Sequence, residues 1–261
     1  MSTEALPPLA LRARVIGALM MREVHTRYGR DNIGFLWFVG EPMLFTGGVI
    51  ILWSLIRPLQ EKGLPLAAFL MTGYLPLVLW RHCVFRAVRC FQANSALLYH
   101  RQVRVIDLIL SRVIIEIAGV AITYAIIFTT FFLLGLIDPP TDLGLFYLGW
   151  LYIVLFSVGC ALVIAPLSER SDVIERLVGP FTYFMLPASG AFVMLDWMPA
   201  QFRPYVLLVP MADGIELIRA GQFGAAIHSY YNIPYVTYAC AVLIVLGLIL
   251  ARGVQRHMEI E

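Results

Sequence analysis

Charge is scarce in this chain, and lysine is almost missing. Only 14% of the 261 residues are charged, where a soluble domain carries about 25%. Lys62 is the single lysine, and every other basic residue except histidine is arginine. No G-x-x-x-x-G-K-[ST] loop occurs, and the lone lysine precedes Gly63. The chain therefore has no phosphate-cradling loop with which to hydrolyse ATP. H-E-x-x-H and G-x-S-x-G are also absent. The five histidines, His25, His82, His100, His228 and His257, are scattered without a carboxylate constellation. No metal centre, no cofactor of its own and no catalytic residue can be nominated. Four cysteines occur (Cys83, Cys90, Cys160, Cys240), none in C-x-x-C and all in apolar sequence. They are expected to be free thiols packing as small hydrophobes. The net charge of +2 gives no field that suits nucleic acid. Residues 1–33 hold Arg12, Arg14, Arg22, Arg27 and Arg30 without an uninterrupted apolar run, so no signal peptide is expected.

What the chain has is apolar sequence, 60% of its length. That is too much for one core, and lipid is the solvent that accepts it. Residues 9–30 predict an amphipathic helix, with Val15, Ile16, Leu19, Met20 and Val24 at helical spacing and arginines opposite. Such a helix lies flat at the membrane surface. Six spans follow: Phe35–Ile56, Leu66 to about Trp80 with an extension through Arg81, Arg86 and Arg89, Leu108–Ile137, Leu143–Leu167, Leu177–Leu195 and Ile233–Ala251. Residues 57–65 read as a polar loop, and 168–176 as a short charged loop. The stretch 196–230 holds Pro199, Pro204, Pro210, Asp213, Glu216 and Arg219 among apolar residues. It is too broken to span and too apolar to be a solvated loop, so it predicts a pair of short re-entrant helices.

Six spans place both termini on one side. Fifteen of the 19 basic residues then share that side, leaving Arg57, Lys62, Arg203 and Arg219 on the other. The positive-inside rule puts the termini in the cytoplasm. Phe35, Trp37, Phe38 and Trp53, and later Phe146, Tyr147, Trp150 and Tyr152, suit the aromatic belts at the interfaces. Ion-coupled carriers place ionisable groups near the midplane, but the last three spans carry no internal charge. Glu116 is the one clear acid inside a span, and Arg112 four residues before it offers a local pair. Energy is expected to come from a partner.

The run Arg22-Glu23-Val24-His25-Thr26-Arg27-Tyr28-Gly29-Arg30, with Gly34-Phe35-Leu36-Trp37 and Glu41-Pro42 after it, resembles the N-terminal motif of ABC-2 type export permeases. It is similar in particular to the KpsM-type membrane subunit of capsular polysaccharide exporters. The order of elements matches along essentially the whole chain. Val209-Pro210-Met211 departs from the Asn-Pro-Leu common in related sequences, although the proline is kept.

The resemblance implies an all-α membrane fold: an interfacial helix within residues 1–33, a transmembrane domain over 34–252 and a cytoplasmic tail over 253–261. It implies a homodimeric pore in the bacterial inner membrane, bound to two copies of a cytoplasmic, KpsT-like nucleotide-binding subunit that holds ATP and Mg. Its cargo would be lipid-linked capsular polysaccharide, passed to periplasmic and outer-membrane export proteins. A coupling helix at about 95–105 would meet the ATPase through Tyr99, His100, Arg101 and Arg104, with Arg22 and Arg27 of the interfacial helix beside it. Glu41 and Pro42 are hinge candidates, Glu41 within reach of an arginine such as Arg89. Pro210, Glu216 and Arg219 are gate candidates in the outer pair, the last two as an i,i+3 ion pair. Phe38, Phe45, Tyr74, Trp80, Tyr183 and Phe184 are nominated from span position for the pore wall, where rings stack on sugars. Two alternatives stay open: an ABC-2 exporter of another cargo (O-antigen, teichoic acid, lipid or drug), and a membrane-embedded glycan enzyme. A scaffold without transport is a third.

Overall fold

A computed structural model describes residues 8–28, 34–56, 60–61, 63–94 and 103–258. Helix α1 (Pro8–Tyr28) opens on a proline, whose fixed φ suits a first helical turn. Helix α2 (Gly34–Ile56) runs through Pro42 without a break. The expected polar loop contains a two-residue antiparallel pair, Gln60–Glu61 with Leu64–Pro65, closed by Gly63 at φ +84°. Helix α3 (Leu66–Ala87) is followed by a turn and a short 3-10 segment, Gln92–Asn94. Helix α4 (Val105–Leu133) follows the undescribed tract 95–102 and ends at Gly135, φ +67°. Helix α5 (Leu143–Arg170) starts where the Asp142 carboxylate accepts the Leu145 N–H at 3.0 Å.

The charged loop predicted over 168–176 is not a loop. Ser171 alone is extended between α5 and the next helix, α6 (Asp172–Ala188). Arg170 closes one helix and Asp172 and Glu175 open the next, each charge favourable to the helix end it occupies. The fifth segment thus starts earlier than expected and stops at Ala188, before a 3-10 turn at Leu195–Trp197. The pair expected over 196–230 is uneven: α7 (Arg203–Val206) is a single turn, whereas α8 (Pro210–Phe223) has 14 residues and ends at Gly224. Helix α9 (Ile233–Met258) continues past Ala251 into the expected tail.

Among the described residues, four helices are long and apolar enough to cross a bilayer: α2, α3, α5 and α9. Helix α4 has 29 residues, roughly 44 Å at 1.5 Å per residue, and carries no charge from Ile117 to Leu133. Helix α5 is the hub, packing on α9, α8 and α3, while α1 lies against α4. Of the α3 span, 78% is buried within the chain, against 17% for α2 and α9, so those two turn most of their surface outward. Phe146 and Tyr152, expected in an interfacial belt, are instead buried in the helix packing, and Tyr152 shares a 2.7 Å hydrogen bond with Thr237. Tyr147 beside them is exposed. The four cysteines are free thiols.

Candidate functional site

Two polar assemblies stand out, one at each end of the helix bundle. At the first, α1 is strapped across the start of α4. Arg12 Nη1 donates to both oxygens of Asp107 at 3.0 Å. Asp107 is 3% exposed and also accepts the Arg104 N–H at 3.1 Å. An acid at the third helical position satisfies an orphan amide and the helix dipole together. Eleven residues along α1, Glu23 meets Arg112 of α4 at 3.4 Å. Arg22 Nη1 donates to Asn94 at 2.7 Å, and the Asn94 amide donates to the Cys90 carbonyl at 2.8 Å. Burial pushes the Cys90 thiol up to about 12, with Arg112 pulling the other way. It stays protonated and packs as a small hydrophobe.

The network continues inward. Arg112 Nη1 donates to the Arg86 carbonyl at 2.8 Å. Glu116, expected to pair with Arg112 on its own helix, faces α3 and meets His82 and Arg86, each at 3.3 Å. The Arg112 guanidinium is drawn toward Glu23. Arg89 does not turn to Glu41: it pairs with Glu175 and, at 3.9 Å, with Asp172 of α6.

Replacing Asp107 by asparagine is expected to release α1. The bond from Arg12 is charge-assisted, and such bonds contribute roughly 1.5–3 kcal/mol. Limited trypsin digestion of membranes should then cut at Arg14 faster than in the parent chain. An unchanged cleavage rate would show that α1 is held by packing alone.

At the other end, α8 is buried although it carries Asp213, Glu216 and Arg219. Arg219 has no exposed surface. Its Nη1 donates to the Gly190 carbonyl and its Nη2 to the Ala191 carbonyl, both at 2.7 Å, and its guanidinium lies 4.7 Å over the Phe69 ring. Glu216 sits 3.5 Å from Arg219, the i,i+3 pair read from the sequence. Its two oxygens accept the Leu195 and Tyr230 amides at 3.3 Å. Asp213 accepts the Asn232 N–H at 2.6 Å. The helix thus fastens the segment after α6 and the approach to α9 in one place. Pro210 is its first residue.

The remaining nominated residues divide. Phe45, Tyr183 and Phe184 are exposed, and Arg81 lies 4.7 Å over the Tyr183 ring. Tyr74 is half-buried against Phe192 at 5.8 Å. Trp80 is 1% exposed, with its ring against Phe156 and Phe181. Glu41 is half-buried and Pro42 buried in α2. Arg104 is exposed at the start of α4. Tyr99, His100 and Arg101 lie outside the described residues, as do the side chains of Arg27 and Phe38. Sequence reasoning missed Asp107, although an acid at the head of an apolar run is a signal for the first turn of a helix. Two concavities among the described residues lie outside both assemblies. A groove of about 560 Å³ between α4 and α5 is lined by Tyr124, Phe128, Phe146, Tyr147 and Trp150. A pocket of about 310 Å³ is bordered by Asp142, His228, Ser229 and Tyr231.

Residues 14–223 match the family model described as ABC-2 type transporter. The chain is 39% identical over 251 residues to the capsule polysaccharide export inner-membrane protein CtrC of Neisseria meningitidis serogroup B, covering 96% of this chain and 95% of that one. It is 37% identical to the capsule polysaccharide export inner-membrane protein BexB of Haemophilus influenzae, covering 96% and 95%. To the polysialic acid transport protein KpsM of Escherichia coli it is 25% identical over 93% and 94%.

Proposed function

The chain belongs to the ABC-2 type transporter family, and from that premise we propose that it is the permease subunit of a capsular polysaccharide exporter of the bacterial inner membrane. The observation that carries this is the 39% identity, over nearly its whole length, to a capsule polysaccharide export protein of that membrane. The cargo is a glycan chain on a lipid terminus, moved outward from the cytoplasm. The chain is a transport subunit and not an enzyme. The fuel is burned by a separate cytoplasmic ATPase, which holds the ATP and Mg. Two copies of this chain and two of the ATPase form the unit, and periplasmic and outer-membrane proteins receive the glycan.

Six crossings put both termini in the cytoplasm, with α1 flat on the inner surface and α7 with α8 capping the outer side. Residues 95–105 dock on the ATPase, with Tyr99 filling an apolar pocket and His100, Arg101 and Arg104 meeting an acidic rim. Arg22 and Arg27 flank that contact. What supports this is that Arg104 is exposed, and that Arg22 touches Asn94, immediately before the docking tract. A push there is felt by α1 and α4 together through the Asp107 and Glu23 ion pairs. Glu41 with Pro42 and Pro210 with Glu216 are the points where bending is expected. Phe45, Tyr183 and Phe184 offer ring faces that stack on sugars of any sequence.

The double substitution Arg101→Glu with Arg104→Glu tests the docking face. Membrane insertion should be unchanged, while glycan export driven by ATP falls by about tenfold or more, the loss expected from reversing rim charges at an interface. Purified complex should show ATPase activity that responds to lipid-linked glycan in the parent chain only. Normal export by the double variant would remove the docking assignment.

A further inference from the structure

We infer that Arg89 is a positioning residue for transport, which sets the cytoplasmic end of α6 so that motion of the turn after α3 swings α6 about its outer end. The inference rests on the transport reading above.

Helix α6 is loosely held by packing. Of its 17 residues only Val178 and Thr182 are buried, and Val173, Leu177, Phe181, Tyr183 and Phe184 are all exposed. Arginines from other elements hold it at both ends, and the two attachments differ in kind. At the outer end Arg219 grips the carbonyls of Gly190 and Ala191, just past the last helical residue, and has no exposed surface. At the cytoplasmic end the Arg89 side chain is 50% exposed, and its partners Glu175 and Asp172 are 25% and 80% exposed. A buried charged clamp resists separation because each group would be left unpaired in a dry site. A water-exposed ion pair breaks and re-forms easily. The outer end is therefore the fulcrum and the cytoplasmic end the part that travels. Between them Arg81 lies over the Tyr183 ring, a contact without a directional bond to break.

The backbone of Arg89 makes the same point independently. Its φ is +50°, and among the described residues no other non-glycine has positive φ. An arginine is disfavoured there relative to glycine, which fits a left-handed turn without a Cβ clash. The turn alone would favour glycine, and a strained residue at a working site points to its side chain. Its N–H donates to Ser168 Oγ at 3.3 Å, three residues before the single-residue break at Ser171. The turn is thus tied through both backbone and guanidinium to the α5–α6 junction. Asn94, bonded to the Cys90 carbonyl, links the same turn to the docking tract.

The test uses the complete complex with its ATPase in proteoliposomes. Arg89→Gly keeps the left-handed turn and removes the guanidinium. Arg89→Glu and Glu175→Arg reverse one charge each, and the pair exchanged together restores attraction. The three single variants should hydrolyse ATP while exporting lipid-linked glycan about tenfold less well, the scale of coupling lost along a connected network. The exchanged pair and Arg89→Lys should recover most export. Spin labels at Val173→Cys and Arg252→Cys should change separation between nucleotide-free and ATP-bound complex. Labels at Phe184→Cys and Tyr238→Cys should change less. Arg89→Gly should abolish the first change. Full export by Arg89→Gly, no rescue by the exchanged pair, or equal movement at both ends of α6 would each overturn the inference. Failure of the polysaccharide reading looks different: the parent complex would then move no glycan, while the label distances would still report on α6.

Discussion

Arg219→Met is expected to melt far below the parent chain. The guanidinium is fully buried, bonded to two backbone carbonyls, paired with Glu216 and stacked on Phe69. Methionine keeps much of the volume and none of the donors. Glu216 would be left buried with only the Leu195 and Tyr230 amides to stabilise its charge. Breaking a buried pair from one side costs about 3–5 kcal/mol, against a total stability of roughly 5–15 kcal/mol. Arg219→Lys should fall between, because one ammonium cannot bond both carbonyls and lie flat on the ring. Adding Glu216→Gln to Arg219→Met should recover part of the loss, since the orphaned charge is then gone. Thermal unfolding in detergent, followed by size-exclusion profile, measures each step. A midpoint for Arg219→Met equal to that of the parent chain would show that this end of the molecule is held by apolar packing alone.

How much of this was legible depended on whether the property lives in one helix or between two. The apolar runs announced α2, α3, α5 and α9, because length and hydropathy are read along one segment. The Glu216–Arg219 pair was readable for the same reason: three residues on a helix share a face. The carbonyls of Gly190 and Ala191 were not readable, since they reach Arg219 from a segment almost thirty residues earlier. Glu116 shows the limit most clearly. Spacing offered it Arg112, but the rotation of α4 points it at His82 and Arg86 on α3. The burial of Trp80 was hidden on the same ground, because span position says nothing about which face a ring takes. The helical start of α6 was hidden by its charge. Asp172 and Glu175 look like loop residues until the neighbouring helix end and Arg89 give them partners. The ABC-2 resemblance was carried by the motif from Arg22 to Pro42, in sequence that one chain displays directly.

Gly73→Ala should also be strongly destabilising, against what the sequence alone would suggest. Glycine inside a helix is less favourable than alanine by roughly 0.5–1 kcal/mol, so the change reads as an improvement to α3. The tertiary position reverses the sign. A Cβ on residue 73 would lie 2.1 Å from the Ala191 carbonyl oxygen and 2.6 Å from Arg219 Nη2. An added Cβ is in ordinary contact at 3.4–4 Å, and real ones essentially never come under 3.0 Å. The nearest obstacle is backbone, held in place by the arginine that the same methyl group would displace. Overpacking of a tight core costs about 1–3 kcal/mol, and here it also lengthens the bonds that hold Arg219. Gly17→Ala in α1 is the control, because nothing lies within 4 Å of its added methyl group. It should melt at or above the temperature of the parent chain, while Gly73→Ala melts well below. Combined with Arg219→Met, Gly73→Ala should add less than its single effect, since the clash with the guanidinium has been removed. Close approach of α3 to the segment after α6 is therefore what lets the Arg219 guanidinium reach its carbonyl partners inside this molecule. If Gly73→Ala melted with the control, that approach would be wrong, and the Arg219 clamp would lose the geometry on which it depends.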